Sequence, residues 1–506
     1  MDPNGPGLTT RKQQVLLPHE LFSCLFRLEP RFFAQTFATD RLGDFWRRIN
    51  PARVASINPT AAADVNVLSR MVPIQVYGDD VSVSKTMSCL VVLFKSSVSF
   101  RLPALEALLP VSSTLLRHCD RRSIESLFAV IRWSIECLAA GHHPDVDHQG
   151  QAWNDRTDPS GNRRAAAGTQ LAGGFFGVFF EAVGDWEWIS KTFGFNEWKV
   201  SYNCANICFR CPASIHPGRF FFKTLDYASE IFSADVARTV DELRAAVVPF
   251  PQLARFAGFS LDESVLWDWL HVSPLGLQHK SAGNCLVELA LEGKFGVFGG
   301  DWRVRMGIAF KRAYADFCRW CSGRRLRHSQ QQFTCASLSV PGGATDLPHL
   351  KGKAHNLMCV SKWLADLVAD DSASPRRRAR SRVMWAIACL DTLFATSGQW
   401  LDDAEIEQLE VARRVFFPSW RFLAEHGDDG TWQTLPKHHA AMHMLDDAVR
   451  TGRNPAGFWC FAGEHLMGLC KKSLANQFQI GVDDRILRAA LYRLGVVARD
   501  FSLAAP

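Results

Sequence analysis

Three apolar, β-branched phrases early in the chain limit what it can fold into. They are residues 73–77 (Pro73-Ile74-Gln75-Val76-Tyr77), 87–94 (Met87 to Phe94) and 174–183 (Gly174 to Val183). Each is short and bounded by turn-forming residues, so each reads as a strand. Between the second and third, residues 123–140 carry helical periodicity, with Leu127, Ile131, Trp133 and Leu138 as candidate buried positions. A polar stretch at 142–164, rich in Asp, Gly, Asn and Pro, reads as a loop. From Asp301 onward the pattern is helical, over 302–321, 350–370, 377–398, 403–425, 437–451, 459–478 and 484–500. The expectation is an α+β chain in which the strands form one mixed sheet. Parallel neighbours in such a sheet need a crossover helix, for which 123–140 is the candidate.

The bulk numbers set outer bounds. At 506 residues the chain exceeds one typical core, so more than one domain is expected. Its balance of 57 basic against 51 acidic residues is mildly basic, which is compatible with a nucleic-acid partner. The first residues, Met1-Asp2-Pro3-Asn4-Gly5-Pro6-Gly7, contain no apolar segment, and the longest uncharged apolar stretch, near Leu171 to Phe180, is too short to span a bilayer. A chain that is neither secreted nor in a membrane is expected. In that setting its 15 cysteines read as reduced thiols or metal ligands rather than a disulfide framework.

The chemistry-bearing residues follow from this layout. Two strand phrases end in glycine and acid: Tyr77-Gly78-Asp79-Asp80 and Val183-Gly184-Asp185. Glu464 opens a late amphipathic segment. Two carboxylates at strand ends and one on a helix can share a pair of Mg²⁺ ions, as phosphodiester chemistry requires. Each acid also has a plain structural reading: a turn for Asp79, a helix N-cap for Asp185, a first-turn acid for Glu464. Cys204, Cys208 and Cys211, with His216 just beyond, form a zinc-knuckle-like pattern near 200–216 that suits a structural Zn²⁺ ion. Cys318 and Cys321 fall inside a helical pattern and read as packing residues. Asp268 and His271 share one face of a helix start, either as a local hydrogen-bonded pair or as part of a site. Arg376, Arg377, Arg378, Arg380 and Arg382 form a basic cluster that suits DNA phosphates, a nuclear address or a solvated helix start.

Taken in order, these phrases resemble the CACTA (En/Spm-type) transposases and related transposon-derived proteins, a branch of the DDE superfamily. The resemblance rests on Tyr77-Gly78-Asp79, then Asp185 ahead of Cys208-x-x-Cys211, then Asp268-x-x-His271 before Leu275-Gly276. Lys351-Gly352-Lys353-Ala354-His355 follows, and finally Lys437-His438-His439, His443, Trp459, Phe461, Glu464 and Gly468. It spans roughly residues 70 to 480. It implies an RNase H-like mixed-sheet core interrupted by a large all-helical insertion. The corresponding divisions are a helical head at 1–70, the first part of the core at 71–300, the insertion at 301–435, and C-terminal helices carrying the third acid at 436–506. It implies Asp79, Asp185 and Glu464 as ligands of two Mg²⁺ ions, with Asp268 and His271 as orienting groups beside them. It further implies DNA strand cleavage and transfer in the nucleus, by a homo-oligomer assembled on DNA. Two features depart from the family's pattern: Asp80 stands where a Gly is usual, and the head shows no recognisable DNA-reading module. The alternative, from another class, is a non-catalytic DNA-binding or scaffold protein that keeps the fold of a degenerate copy.

Overall fold

The computed structural model describes residues 12–84, 87–154, 161–296, 301–340, 348–427, 431–474 and 482–504. The chain divides into two compact units. One comprises Met1–Gly194, Val247–Ser264 and Phe461–Pro506; the other comprises Phe195–Ala246 and Val265–Cys460. Among the described residues, no helix is long and apolar enough to cross a membrane.

The first unit is built on a four-stranded mixed sheet, β1 (Met71–Ser84), β2 (Met87–Ser96), β3 (Leu109–Leu115) and β4 (Phe176–Gly184), in the order β3-β2-β1-β4. The first three strands form an antiparallel meander, and β4 returns parallel to β1. The expected strands at 73–77, 87–94 and 174–183 all lie in this sheet. The helix Arg121–Ala140 makes the crossover, started by Asp120 accepting from Ser123 N and stopped by Gly141 at φ 73°. Its apolar stripe of Leu127, Phe128, Ile131, Ile135 and Leu138 is buried, whereas Trp133 is half-buried. Gly177 on β4 is tightly covered by this helix, since a Cβ there would lie 2.7 Å from Leu138. The N-terminal helices Pro18–Leu28 and Pro30–Phe37 pack Phe22, Phe33 and Phe37 into an edge-to-face cluster, and Phe37 stacks on Phe94 of β2. Trp46 donates to the Met71 carbonyl at 2.7 Å. The N-terminal helices therefore belong to the core of this unit.

One irregularity sets the sheet's register. Ile74 pairs with Phe179, but Gln75 pairs with Glu181, so β4 carries one extra residue, Phe180. The side-chain period of a strand is two, so this bulge decides which face every later β4 residue takes. It is well supported: Arg53 donates to the Phe180 carbonyl at 2.7 Å and its guanidinium covers the Phe180 ring. Glu181 is fully buried and accepts from Gln75 at 2.6 Å and Ser97 at 2.9 Å.

The second unit is dominated by long helices, among them Trp302–Gly323, Ala354–Leu367, Pro375–Thr396, Asp403–Glu425 and Pro436–Thr451. Here the basic cluster departs from its expected surface position. Arg380 has no exposed side-chain surface; it is held by Glu288 at 3.0 Å, Glu292 at 2.9 Å and Asp371. Arg376 pairs with Glu288 at 2.6 Å and Arg377 with Glu292 at 3.3 Å. The run is amphipathic in charge: one side neutralises the carboxylates of Glu288, Glu292 and Asp371, and only Arg378 and Arg382 are exposed. Replacing Arg380 by Met should destabilise the protein by about 1–3 kcal/mol, because Glu288, Glu292 and Asp371 would each lose one of the guanidinium partners that neutralise them. Urea unfolding would show this, with Arg378→Met as a control expected to stay within about 0.5 kcal/mol. Equal small shifts in both would mean the carboxylates rearrange at no cost.

Candidate active site and metal centre

In the first unit Gly78 pairs with Gly184 across the parallel β1–β4 ladder; Asp79 follows within β1, and Asp185 follows immediately after the end of β4. Both glycines are sterically required. A Cβ at Gly78 would lie 1.9 Å from Trp188 Nε1, and one at Gly184 would lie 2.5 Å from the Gly78 carbonyl oxygen. The Gly-acid phrases thus mark where the strands run beneath the Trp188 ring. Asp185 caps the helix Trp186–Phe193, accepting from Trp188 N at 2.7 Å, as its structural reading anticipated.

Strand alternation separates the two adjacent acids of β1. Gly78 and Asp80 face one way; Tyr77 and Asp79 face the other. Asp80 is ion-paired with Lys191 of the Trp186–Phe193 helix, and Lys191 also pairs with Glu187 at 2.8 Å. Burial opposes the charge on Lys191, but these two carboxylates outweigh it and raise its pKa. Asp80 is therefore committed to anchoring that helix. Tyr77, almost fully buried, donates to Asp79 Oδ2 at 3.4 Å. The helix Phe461–Leu474 approaches on this side. A Cβ at its Gly463 would lie 2.1 Å from Tyr77 Cζ, so helix backbone sits directly on the ring. Glu464 is the next residue, exposed in the helix's first turn. Asp79, Asp185 and Glu464 thus belong to one compact unit: Asp79 lies within β1 opposite Val91 rather than at the expected strand end, Asp185 just past the end of β4, and Glu464 on a helix packed against β1; their carboxylates do not all lie within 4.8 Å of one another.

Asp268 and His271 lie in the second unit. Asp268 is the N-cap of the short helix Trp269–Val272 and receives Leu270 N at 3.1 Å, His271 N at 3.1 Å, His271 Nδ1 at 2.5 Å and Cys460 N at 2.8 Å. With Cys460 these two residues form a group close enough to hold a metal ion. The four N–H donors already occupy most of the acceptor capacity of the carboxylate.

A second group that could hold a metal ion lies elsewhere in the second unit: Cys208, Cys211, His439 and His443, whose donor atoms all lie within 4.8 Å of one another. Cys208 and Cys211 form a tight knuckle. Ile207 N donates to the Ala213 carbonyl at 2.9 Å, Arg210 N donates to Cys208 Sγ at 3.3 Å, and Arg238 Nε reaches both the Cys208 and Cys211 carbonyls at 3.2 Å. The histidines come from the helix Pro436–Thr451, where a spacing of four residues places both rings on one face. His439 Nε2 is 3.1 Å from Cys211 Sγ, His443 Nε2 is 3.4 Å from it, and the two Nε2 atoms are 3.1 Å apart. Donors bonded at about 2.0–2.3 Å to one tetrahedral ion require separations of this size. Burial would raise the Cys208 pKa, but hydrogen bonds from Cys211 and both imidazoles hold the thiol well below its ordinary value; burial pushes Cys211 upward. Burial lowers the His439 pKa, which keeps that imidazole neutral and able to ligate. Phe232 packs against both rings, and the buried Arg210 pairs with Asp447, one turn beyond His443.

The ligand set expected from sequence is corrected at two positions. Cys204 lies outside the group, its thiol donating to the Glu197 carbonyl at 2.8 Å, and His216 is exposed. His439 and His443 take their places. Their signal was present as a His-x-x-x-His pair at the start of a helical pattern. The neighbouring His438 points elsewhere: its Nδ1 accepts from Leu435 N at 2.9 Å, and its ring lies 4.1 Å from that of Trp420. Of the basic cluster, Arg376, Arg377 and Arg380 are engaged as described above.

The chain matches no protein-family model and no curated protein.

Proposed function

We propose that this chain is a DNA transposase-like protein with an RNase H-like core, catalysing Mg²⁺-dependent phosphodiester hydrolysis and strand transfer. The observation that carries the reading is the placement of Asp79 and Asp185 directly after the paired Gly78 and Gly184 of parallel β1 and β4, with the Glu464 helix packed against the same β1. Carboxylate oxygens suit a hard cation, and each carboxylate offers enough lone pairs to ligate while Asp185 also caps its helix. Asp79, Asp185 and Glu464 would hold two Mg²⁺ ions, which when bound supply an activated nucleophile and a stabilised leaving oxygen. The chain's own residues prepare that site. Helix capping fixes Asp185, and Lys191 pairs with Asp80 on the other face of β1.

The Cys208–Cys211–His439–His443 centre suits structural Zn²⁺, because its four protein donors leave no open position for substrate. In this reading the long helices of the second unit are the insertion, DNA is the substrate, the active species is a homo-oligomer on DNA, and the site of action is the nucleus.

The direct test is nicking of a labelled duplex by the purified chain with Mg²⁺ and with EDTA. Mg²⁺-dependent nicking supports the reading. DNA binding with no nicking under any divalent ion supports the non-catalytic scaffold instead. The exposed arginines give a second expectation. Arg378→Gln combined with Arg382→Gln should flatten the log–log salt dependence of duplex binding by about 1.8, two phosphate contacts at about 0.9 each. An unchanged slope would assign both to solvent.

A further inference from the structure

We infer that Tyr77 is a positioning residue for the three-carboxylate site, gauging the distance between β1 and the Glu464 helix and orienting Asp79. The inference rests on the proposed two-metal reading. Three observations support it. Tyr77 and Asp79 are two residues apart on one strand and share a face, and the Tyr77 hydroxyl donates to Asp79 Oδ2 at 3.4 Å. The ring is 3% exposed, which is unusual for a tyrosine beside a site of acids. The helix carrying Glu464 meets it at a residue where only glycine fits, since a Cβ at Gly463 would lie 2.1–2.4 Å from three atoms of the ring.

Tyr77 therefore touches both halves of the site. Its ring is the surface on which the helix backbone rests one residue before Glu464. Its hydroxyl holds one oxygen of Asp79 toward that helix. An aspartate carboxylate has a broad range of χ2 unless something fixes it. An oriented carboxylate binds a cation more tightly because less freedom is lost on ligation, and groups that orient ligands commonly contribute 10- to 100-fold in affinity. At 3.4 Å the bond is long for O–H···O.

The experiment separates ring from hydroxyl. Tyr77→Phe keeps the surface under Gly463 and removes only the donor. Gly463→Ala keeps the donor and pushes the helix off the ring. Divalent-ion affinity is measured by calorimetric titration with Mn²⁺, alongside the half-saturating Mg²⁺ concentration for nicking and the melting temperature. Tyr77→Phe should bind Mn²⁺ about 10-fold more weakly and need about 10-fold more Mg²⁺, with nicking at saturating Mg²⁺ and the melting temperature near wild type. Gly463→Ala should lose affinity at least as much. Unchanged Mn²⁺ affinity and Mg²⁺ requirement in Tyr77→Phe, with wild type active, would overturn the positioning role alone. Wild type that binds no Mn²⁺ and nicks no DNA would overturn the two-metal reading and this inference with it.

Discussion

Asp185→Asn should remove Mg²⁺-dependent strand cleavage while leaving the fold intact. The substitution is well matched to the local structure. Asp185 uses Oδ1 to accept from Trp188 N at the start of its helix, and asparagine serves that position as well as aspartate does. What is lost is the charge. A bound cation lowers the barrier to phosphodiester cleavage by several kcal/mol, so displacing one should slow nicking by about 10³-fold, equivalent to about 4 kcal/mol. Asp79→Asn and Glu464→Gln should behave alike. Asp80→Asn supplies the contrast. It weakens the tie to Lys191 on the opposite face of β1 and should leave nicking within about 10-fold of wild type. If Asp80→Asn abolished nicking and Asp79→Asn did not, the assignment of faces would be inverted and the two-metal site would have to be rebuilt around Asp80.

The second large effect concerns the Cys-His centre. Removing the ion with a strong chelator, or replacing Cys211 by Ser, should abolish stoichiometric zinc and destabilise the protein. At a free zinc concentration about a thousandfold above Kd, binding contributes about 4 kcal/mol. For a unit of this size that corresponds to a fall of about 8–16 °C in melting temperature. His439→Ala and His443→Ala should act similarly, whereas Cys204→Ser and His216→Ala should retain one zinc per chain. Metal analysis of the variants decides between the two ligand sets. Acidification should also release the ion, since ligation requires deprotonated thiols and neutral imidazoles. Full zinc retention in His439→Ala together with His443→Ala would exclude the centre.

Local patterns in the sequence predicted local structure well. The Gly-acid phrases are legible because a strand passing beneath Trp188 has no room for a side chain at Gly78 or Gly184. The helix Asp403–Glu425 coincides with its periodicity, closed at its start by a capping box between Asp402 and Glu405. The misses have physical causes. β3 escaped notice because Pro110, Ser112 and Ser113 break the apolar run, although both serines are buried within the sheet. The candidate metal-ligand set was read from neighbours in sequence, yet Cys211 and His439, which the structure brings together, are 228 residues apart along the chain. The arginine run was read as surface because its partners Glu288 and Glu292 lie in a distant helix; charge in a sequence says nothing about where its counter-charge resides. The β1–β4 bulge leaves no recognisable mark in the sequence, although it sets the faces of the β4 residues that follow it.

The discontinuity of the first unit has a consequence for the order in which the protein comes to exist. The chain leaves that unit after Gly194, revisits it at Val247–Ser264, and returns for good only at Phe461. All four strands are therefore synthesised, and able to pair, long before the helix that rests on Tyr77 emerges. At translation rates of roughly 5–20 residues per second, Glu464 follows Asp185 by tens of seconds. During that interval the nascent chain carries two of its three acids and lacks the helix that covers Tyr77. Ribosome-bound or prematurely terminated products would thus carry no complete three-acid site, so any ability to cut DNA would be withheld until nearly the whole polypeptide has been made.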